Sequence, residues 1–215
     1  MRFLFINGSP RENMCTYRAL LECINILESK GHECAYFSLD NIKDCSNCRI
    51  CKSKGKCVDD DINFFAEYFN TFDGVFFGSP VYYGGITGNM KAFLTKLFYS
   101  HPKCLMFKPI ACVVSSRRAG GVAALQEFYL PFLMHSCYIV GSQYWCEVHG
   151  DTPEDVELDY EGLQCMRTLA LNMEYVSDSL NKNKDNIPIH EEKKHLNYIS
   201  REYKKLLQEK ECLEK

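Results

Sequence analysis

Apolar residues come in short bursts, separated by loops rich in glycine, serine and proline. Residues 2–7, RFLFIN, form the first burst, and Gly8 ends it. A continuous apolar run of this length reads as a strand buried on both faces. YRALLECINILESKG then places Leu20, Leu21, Ile24 and Leu27 at helical spacing, and Gly31 closes the helix. CAYFSL (34–39) reads as a second strand. INFFAEYFNTF reads as a helix, GVFFGSP (74–80) as a third strand and GNMKAFLTKLFYS (88–100) as a helix. PIACVVS (109–115) is a fourth strand. The helix VAALQEFYLPFLMHS follows, with Pro131 expected to kink it or start a turn. CYIVGSQYWCEV is a fifth strand, bent at Gly141, and Pro153 to about Asn183 is helical. Five alternations of strand and helix predict a three-layer α/β sandwich around a parallel sheet. Right-handed crossovers then put the loops that follow the strands on one edge.

Residues 184–215 read as a charged, helical extension to a 1–183 domain. Leu196, Ile199, Tyr203, Leu206 and Leu207 form one narrow apolar stripe along it.

Composition narrows the function. At 215 residues the chain suits one domain with a sizeable core. A formal charge of -3 gives no basis for nucleic-acid binding. The start, MRFLFINGSP, is too soon interrupted for a signal peptide, and no apolar run approaches 18 residues. A cytoplasmic protein with no membrane span is expected.

Thirteen cysteines in such a chain favour free thiols over a disulfide framework. Cys23, Cys34, Cys104, Cys112, Cys137, Cys146 and Cys165 sit in apolar or periodic stretches and read as core or helix residues. Cys212 lies in the charged tail. The other pattern is DCSNCRICKSKGKC, residues 44–57, which carries Cys45, Cys48, Cys51 and Cys57 as C-x2-C-x2-C-x5-C. Zinc sites usually draw two ligands from each of two separated knuckles. Thiols bunched on one loop favour an iron–sulfur cluster. Asp59, Asp60 and Asp61 follow, and they read as a cap on the next helix in preference to metal ligands. The six histidines are scattered, so no general acid or base is assigned.

Three loops carry the remaining chemistry. GSPRENMCT offers Ser9, Asn13 and Thr16 as donors, the charge of Arg11, and a helix N-terminus, a combination that suits a single phosphate. It has neither a Walker nor a dinucleotide glycine pattern. GSPVYYGGITGNMKAF pairs Tyr82 and Tyr83 with Gly84 and Gly85, letting backbone and rings approach a flat ligand. SSRRAGG supplies Arg117 and Arg118 beside Gly120 and Gly121. Together these loops describe a pocket for a planar ring with a phosphate tail. The cysteine loop follows strand two, so it is expected on the same edge, as an electron port to that pocket.

GSPR-x-N-x-x-T, the cysteine loop and GSPVYYGGITGNMKAF together resemble the NADPH-dependent FMN reductase family of flavodoxin-like proteins. The cysteine spacing is most similar to its iron–sulfur flavoprotein branch. The resemblance spans about residues 1–180. It implies a flavodoxin-like three-layer α/β/α sandwich with a five-stranded parallel sheet in the order 2-1-3-4-5. It also implies an FMN-dependent oxidoreductase. Ser9, Arg11, Asn13 and Thr16 would hold the FMN phosphate, joined by Cys15 in a place where relatives usually have Ser or Asn. Pro80, Val81, Tyr82, Tyr83, Gly84 and Gly85 would lie along the isoalloxazine. Ser116, Arg117, Arg118, Ala119 and Gly120 would close its other side. Cys45, Cys48, Cys51 and Cys57 would ligate a 4Fe–4S cluster. Electrons would pass between a ferredoxin-like donor, or NAD(P)H, and a small oxidant or partner protein, in a homodimer or homotetramer. Two alternatives stand beside this reading: a cluster-free NAD(P)H-dependent FMN or quinone reductase, and a non-enzymatic flavodoxin-like carrier or zinc-stabilised binding module.

Overall fold

The computed structural model describes residues 1–191 and 197–213, the side chains of 197–200 and 210–213 excepted. The chain divides into two units, Met1–Lys184 and Asp185–Lys215.

In the first unit, β1 (Arg2–Asn7), β2 (Glu33–Ser38), β3 (Gly74–Pro80), β4 (Pro109–Ser116), β5 (Tyr138–Ile139) and β6 (Glu147–His149) form one sheet. Its order is 2-1-3-4-5, with β6 on β4, and every pairing is parallel. Phe3, Leu4, Phe5 and Ile6 of β1 are wholly buried, as a central strand covered on both faces requires. Each side chain of this kind contributes about 1.5–3 kcal/mol by leaving water.

Side chains alternate between the two faces along β3. Phe76 stacks on Phe5 at 4.3 Å. Gly74 and Gly78 share that face; a side chain there would meet Met173 of α7 (Tyr160–Lys182) and Leu20 of α1 (Cys15–Ser29). Phe77 points the other way. It meets Phe69 at 6.2 Å, just after α3 (Asp60–Tyr68), and Phe132 of α5 (Gly121–Met134) at 4.9 Å. Helices thus flank both faces of the sheet, the three-layer sandwich that the alternation predicts.

Several elements depart from the sequence reading. The single fifth strand is two strands, set in line along the same side of β4. β5 pairs with Pro109 and Ile110, and β6 with Val114, Ser115 and Ser116. Residues 141–145 leave the sheet between them, held out by Asn172 donating to the Gly141 carbonyl and Ser142 to the Cys165 carbonyl. The sheet therefore has six strands, not five. Pro131 does not end α5. The helix runs through it at the loss of one backbone bond, and the His135 ring bonds the Pro131 carbonyl at 2.8 Å. The last long helix is broken at Asp159, separating α6 (Pro153–Leu158) from α7, where the Asp159 carboxylate accepts from Gly162 N–H at 2.9 Å. A one-turn helix, α2 (Ile50–Lys54), lies inside the cysteine loop.

The second unit contains α8 (Asn197–Leu213), on which Tyr203, Leu206 and Leu207 are exposed at i, i+3, i+4 spacing. Leu196 and the side chains of Ile199 and Cys212 lie outside the described residues.

Candidate functional site

Parallel strands place the loops after β1, β3, β4 and β6 at one edge of the sheet. There they enclose a cleft of about 230 Å3. Of the residues singled out in the sequence, Ser9, Arg11, Cys15, Thr16, Pro80, Val81, Tyr82, Ser116 and Arg117 line it. Asn13, Tyr83, Gly84, Gly85, Arg118, Ala119 and Gly120 do not.

The first loop is held largely by its own polar groups. Ser9 N–H donates to Asn7 Oδ1 at 2.9 Å, and its hydroxyl donates to the Arg11 carbonyl at 2.9 Å. Asn13 has a φ of 53°, a left-handed conformation that asparagine tolerates. Helix α1 then begins at Cys15 with no side-chain cap and no acidic residue in its first turn. Its first N–H groups lack intrahelical partners. Met14, Cys15 and Thr16 all line the cleft. An uncapped helix N-terminus beside Arg11 is a donor set suited to an anion. Thr16 and Ser115, both buried, share a hydrogen bond of 2.7 Å that ties α1 to β4. Burial pushes the Cys15 thiol up, against smaller downward pulls from a backbone N–H and Arg11, and its Sγ donates to the Gly150 carbonyl at 3.4 Å.

The second loop is a tight turn. Tyr82 and Gly85 exchange backbone bonds of 2.9 and 3.0 Å around Tyr83 and Gly84, at φ 51° and 80°. Positive φ at both central positions favours glycine, which explains Gly84. The Tyr83 side chain is fully exposed. A side chain on Gly120 would meet Val81 and Gly84 at 3.1 and 3.2 Å, so the second and third loops pack backbone to backbone.

Sequence reasoning missed Gly150 and Asp151 as cleft residues; Met14 and Ser115, which also line the cleft, belong to the first and third loops as read. Gly150 and Asp151 follow β6, the strand hidden by merging it with β5. The signal was H-G-D-T-P, a turn leading into a capping box in which Thr152 and Asp155 bond reciprocally. It also passed over a cluster at the cleft rim. Ser116 donates to Glu147 Oε1 at 2.6 Å, and His149 Nδ1 lies 3.2 Å from the same hydroxyl. A hydroxyl has one proton to give, so His149 Nδ1–H is the donor in the second bond. A side chain on Gly121 would fall onto the Glu147 carboxylate. That carboxylate therefore sits against the N-terminus of α5, where the helix dipole favours it.

The four cysteines of the C-x2-C-x2-C-x5-C loop come together. Cys45, Cys48, Cys51 and Cys57 all line one hollow, against Lys96, Tyr99 and Ser100 of α4 (Gly88–Ser100). Left-handed Asn47 and Arg49 flank Cys48 and turn the loop back on itself. Cys57 is clamped to α3: its N–H donates to Asn63 Oδ1 at 2.8 Å, and Asn63 Nδ2 donates to its carbonyl at 3.0 Å. The donors are four free thiols, with Cys48 exposed and the others half-buried. The hollow is small, about 30 Å3. Among the described residues, no three His, Cys, Asp or Glu side chains stand close enough to hold a single metal ion. Four thiols lining one hollow are the donor set that a thiolate-bound iron–sulfur cluster takes. Asp59 takes the N-cap position of α3 but caps nothing. Its carboxylate pairs instead with Lys96 Nζ at 2.8 Å.

The hollow is not at the edge with the cleft, contrary to the sequence expectation. Helix α4 starts at that edge, where Thr87 Oγ1 donates to the Gly8 carbonyl at 2.7 Å. Lys96 and Ser100 lie 9 and 13 residues further on, about 13–20 Å along the helix at 1.5 Å per residue. The loop leaves β2 at the edge and then runs down the flank. Cleft and hollow share no lining residue. A third and wider groove of about 500 Å3, lined by Leu94, Phe98, Pro131 and Met134 among others, shares Tyr99 with the hollow.

The model of the NADPH-dependent FMN reductase family matches residues 1–151. An iron–sulfur flavoprotein of Methanocaldococcus jannaschii is 30% identical over 184 residues, covering 79% of this chain and 94% of the relative. A second iron–sulfur flavoprotein of that organism is 32% identical over 185 residues, covering 78% and 92%. Among solved structures, a WrbA-like flavodoxin from Agrobacterium tumefaciens superposes with a TM-score of 0.59 at 15% identity, covering 83% of this chain and 98% of its own; this likeness shows the flavodoxin-like fold. With that fold, the family match and the iron–sulfur flavoprotein relatives, the chain belongs to the NADPH-dependent FMN reductase family, as an FMN-dependent oxidoreductase of its iron–sulfur flavoprotein branch.

Proposed function

We propose that the chain passes electrons between a ferredoxin-like donor and a small oxidant or partner protein, using FMN in the cleft and a 4Fe–4S cluster on Cys45, Cys48, Cys51 and Cys57. The observation that carries this reading is the meeting of all four cysteines in one hollow. A reductase without a cluster has no need of that arrangement, and NAD(P)H as direct donor is the second choice. The family is one of enzymes, which leaves the carrier and zinc-module readings without support.

When bound, FMN exchanges two electrons with a hydride donor and one with a cluster. The protein's part is placement. The N–H groups of α1, with Arg11, Ser9 and Thr16 on the cleft wall, would hold the phosphate; Cys15 adds only a weak donor. Pro80, Val81 and Tyr82 would lie along one side of the ring. Ser116 and Arg117 would close the other. Glu147 and His149 fix the Ser116 hydroxyl at the rim.

The distance along α4 bears on assembly. One chain's hollow lies far down the flank from its own cleft, so a homodimer or homotetramer would serve transfer better by setting the hollow of one subunit near the cleft of another. Tyr99, Leu130, Leu133 and Met134 are exposed on α4 and α5 and supply an apolar surface for that association. Among the described residues no helix is long and apolar enough to cross a membrane.

The test is an anaerobic electron-donor assay on the reconstituted protein. Reduced ferredoxin should bleach both the cluster and the flavin absorbance, and NADPH alone should act more slowly. Rapid flavin reduction by NADPH, with no response to ferredoxin, would make the chain a plain reductase.

A further inference from the structure

Lys96 is an anomaly on the wall of the cysteine hollow. Its side chain is only 9% exposed, and its ammonium pairs with Asp59 Oδ2 at 2.8 Å. Lysine is almost never buried without a partner. A buried ion pair is also a poor device for stability, because desolvation offsets most of the attraction. Hydrophobic residues would join α3 to α4 at least as well. Yet Lys96 faces the same hollow as all four cysteines, and Asp59 stands two residues after the last of them. The other cations lining the hollow, Arg49 and Lys52, are exposed and screened by water.

We propose that Lys96, held in place by Asp59, is a fixed positive charge that sets the reduction potential of the group bound by Cys45, Cys48, Cys51 and Cys57. This rests on the reading of that loop as a cluster site. Four thiolates give the site excess negative charge, and reduction adds one more electron to it. A buried cation alongside favours the reduced form and raises the potential; a carboxylate alongside lowers it. The potentials of iron–sulfur centres respond to net charge, hydrogen bonding and exposure in this way. Asp59 therefore does two opposing things: it orients Lys96 and partly cancels its charge. Lys96 is a positioning and charge-setting residue, not a ligand.

The test is a redox titration, monitored by electron paramagnetic resonance, of the full chain reconstituted anaerobically with iron and sulfide. Lys96→Met leaves Asp59 uncompensated and should shift the one-electron equilibrium toward the oxidised form at least tenfold, about 59 mV downward. Asp59→Asn removes the opposing charge and should shift it upward. Lys96→Arg keeps the charge and should stay near the parent value. Opposite signs for the first two variants support the proposal. Potentials within twofold of the parent in both overturn it and leave the pair a plain strut. If Lys96→Met fails to fold or hold iron, the upward shift in Asp59→Asn and the unchanged Lys96→Arg decide the matter. A parent chain that binds no iron after reconstitution overturns the cluster reading itself, an outcome told apart from the others by iron analysis before any titration.

Discussion

Thr16 Oγ1 and Ser115 Oγ lie 2.7 Å apart although 99 residues separate them in the chain. The bond fastens the first turn of α1 to the end of β4, so it sets the spacing between the first and third loops of the cleft. Thr16→Val removes the hydroxyl while keeping the shape. FMN binding should weaken by about 1–3 kcal/mol, the size of a hydrogen bond to a charged phosphate. Flavin fluorescence titration measures it, and an unchanged affinity would remove Thr16 from the site.

Cleft and hollow share no lining residue, so their contents should separate. Cys48→Ala should abolish the broad visible absorbance of a cluster and leave FMN at its parent ratio to protein. Loss of both together would make the cysteine loop a structural staple of the whole domain.

Gly121 and Glu147 form a second pair at the cleft rim. Gly121→Ala puts a methyl group onto the Glu147 carboxylate, which must turn away and give up its bond from Ser116, and should cost about 1–3 kcal/mol of stability. Glu147→Ala in the same chain should restore most of that loss. Urea melts of the two single variants and the double variant would show a coupling of about 0.5–3 kcal/mol. Simple additivity would mean that the carboxylate is not where the structure puts it.

The buried thiols make stability sensitive to alkali. Burial pushes Cys104, Cys137 and Cys146 up to about 12, from a usual value of 9.0. A group raised in the folded state contributes stability that is complete below its unfolded value and lost as pH rises through the folded one. The window is therefore pH 9 to 12. Each thiol should withdraw about 1.4 kcal/mol per pH unit there. Urea midpoints should be level from pH 7 to 8.5 and fall steeply by pH 10. A flat profile to pH 11 would show that these thiols ionise freely in the fold.

How much of this could be read from the chain follows from physical range. Unbroken apolar runs such as Phe3–Ile6 and Val75–Phe77 specify central strands by themselves, and the bounds of β1, β3 and α4 agree with the residues read. β5 and β6 did not separate because each is two or three residues long and takes its pairing from opposite ends of β4. That merger hid the loop carrying Gly150 and Asp151. The grouping of loop residues was legible, since Ser9, Arg11 and Thr16 line the cleft together and the four cysteines line one hollow. Pairings across the fold were not. Nothing near Asp59 in sequence points to Lys96, and nothing near Ser116 points to Glu147 or His149. The depth of the hollow along α4 was also out of reach, because a loop's starting edge does not fix where it ends.

The most direct test is chemical. The protein should be purified without oxygen, and iron, acid-labile sulfide and FMN measured against protein. The result expected is about four irons, four sulfides and one FMN per chain, the stoichiometry of one 4Fe–4S centre on four cysteines beside one flavin. FMN at one per chain with no iron, before and after reconstitution, would contradict it.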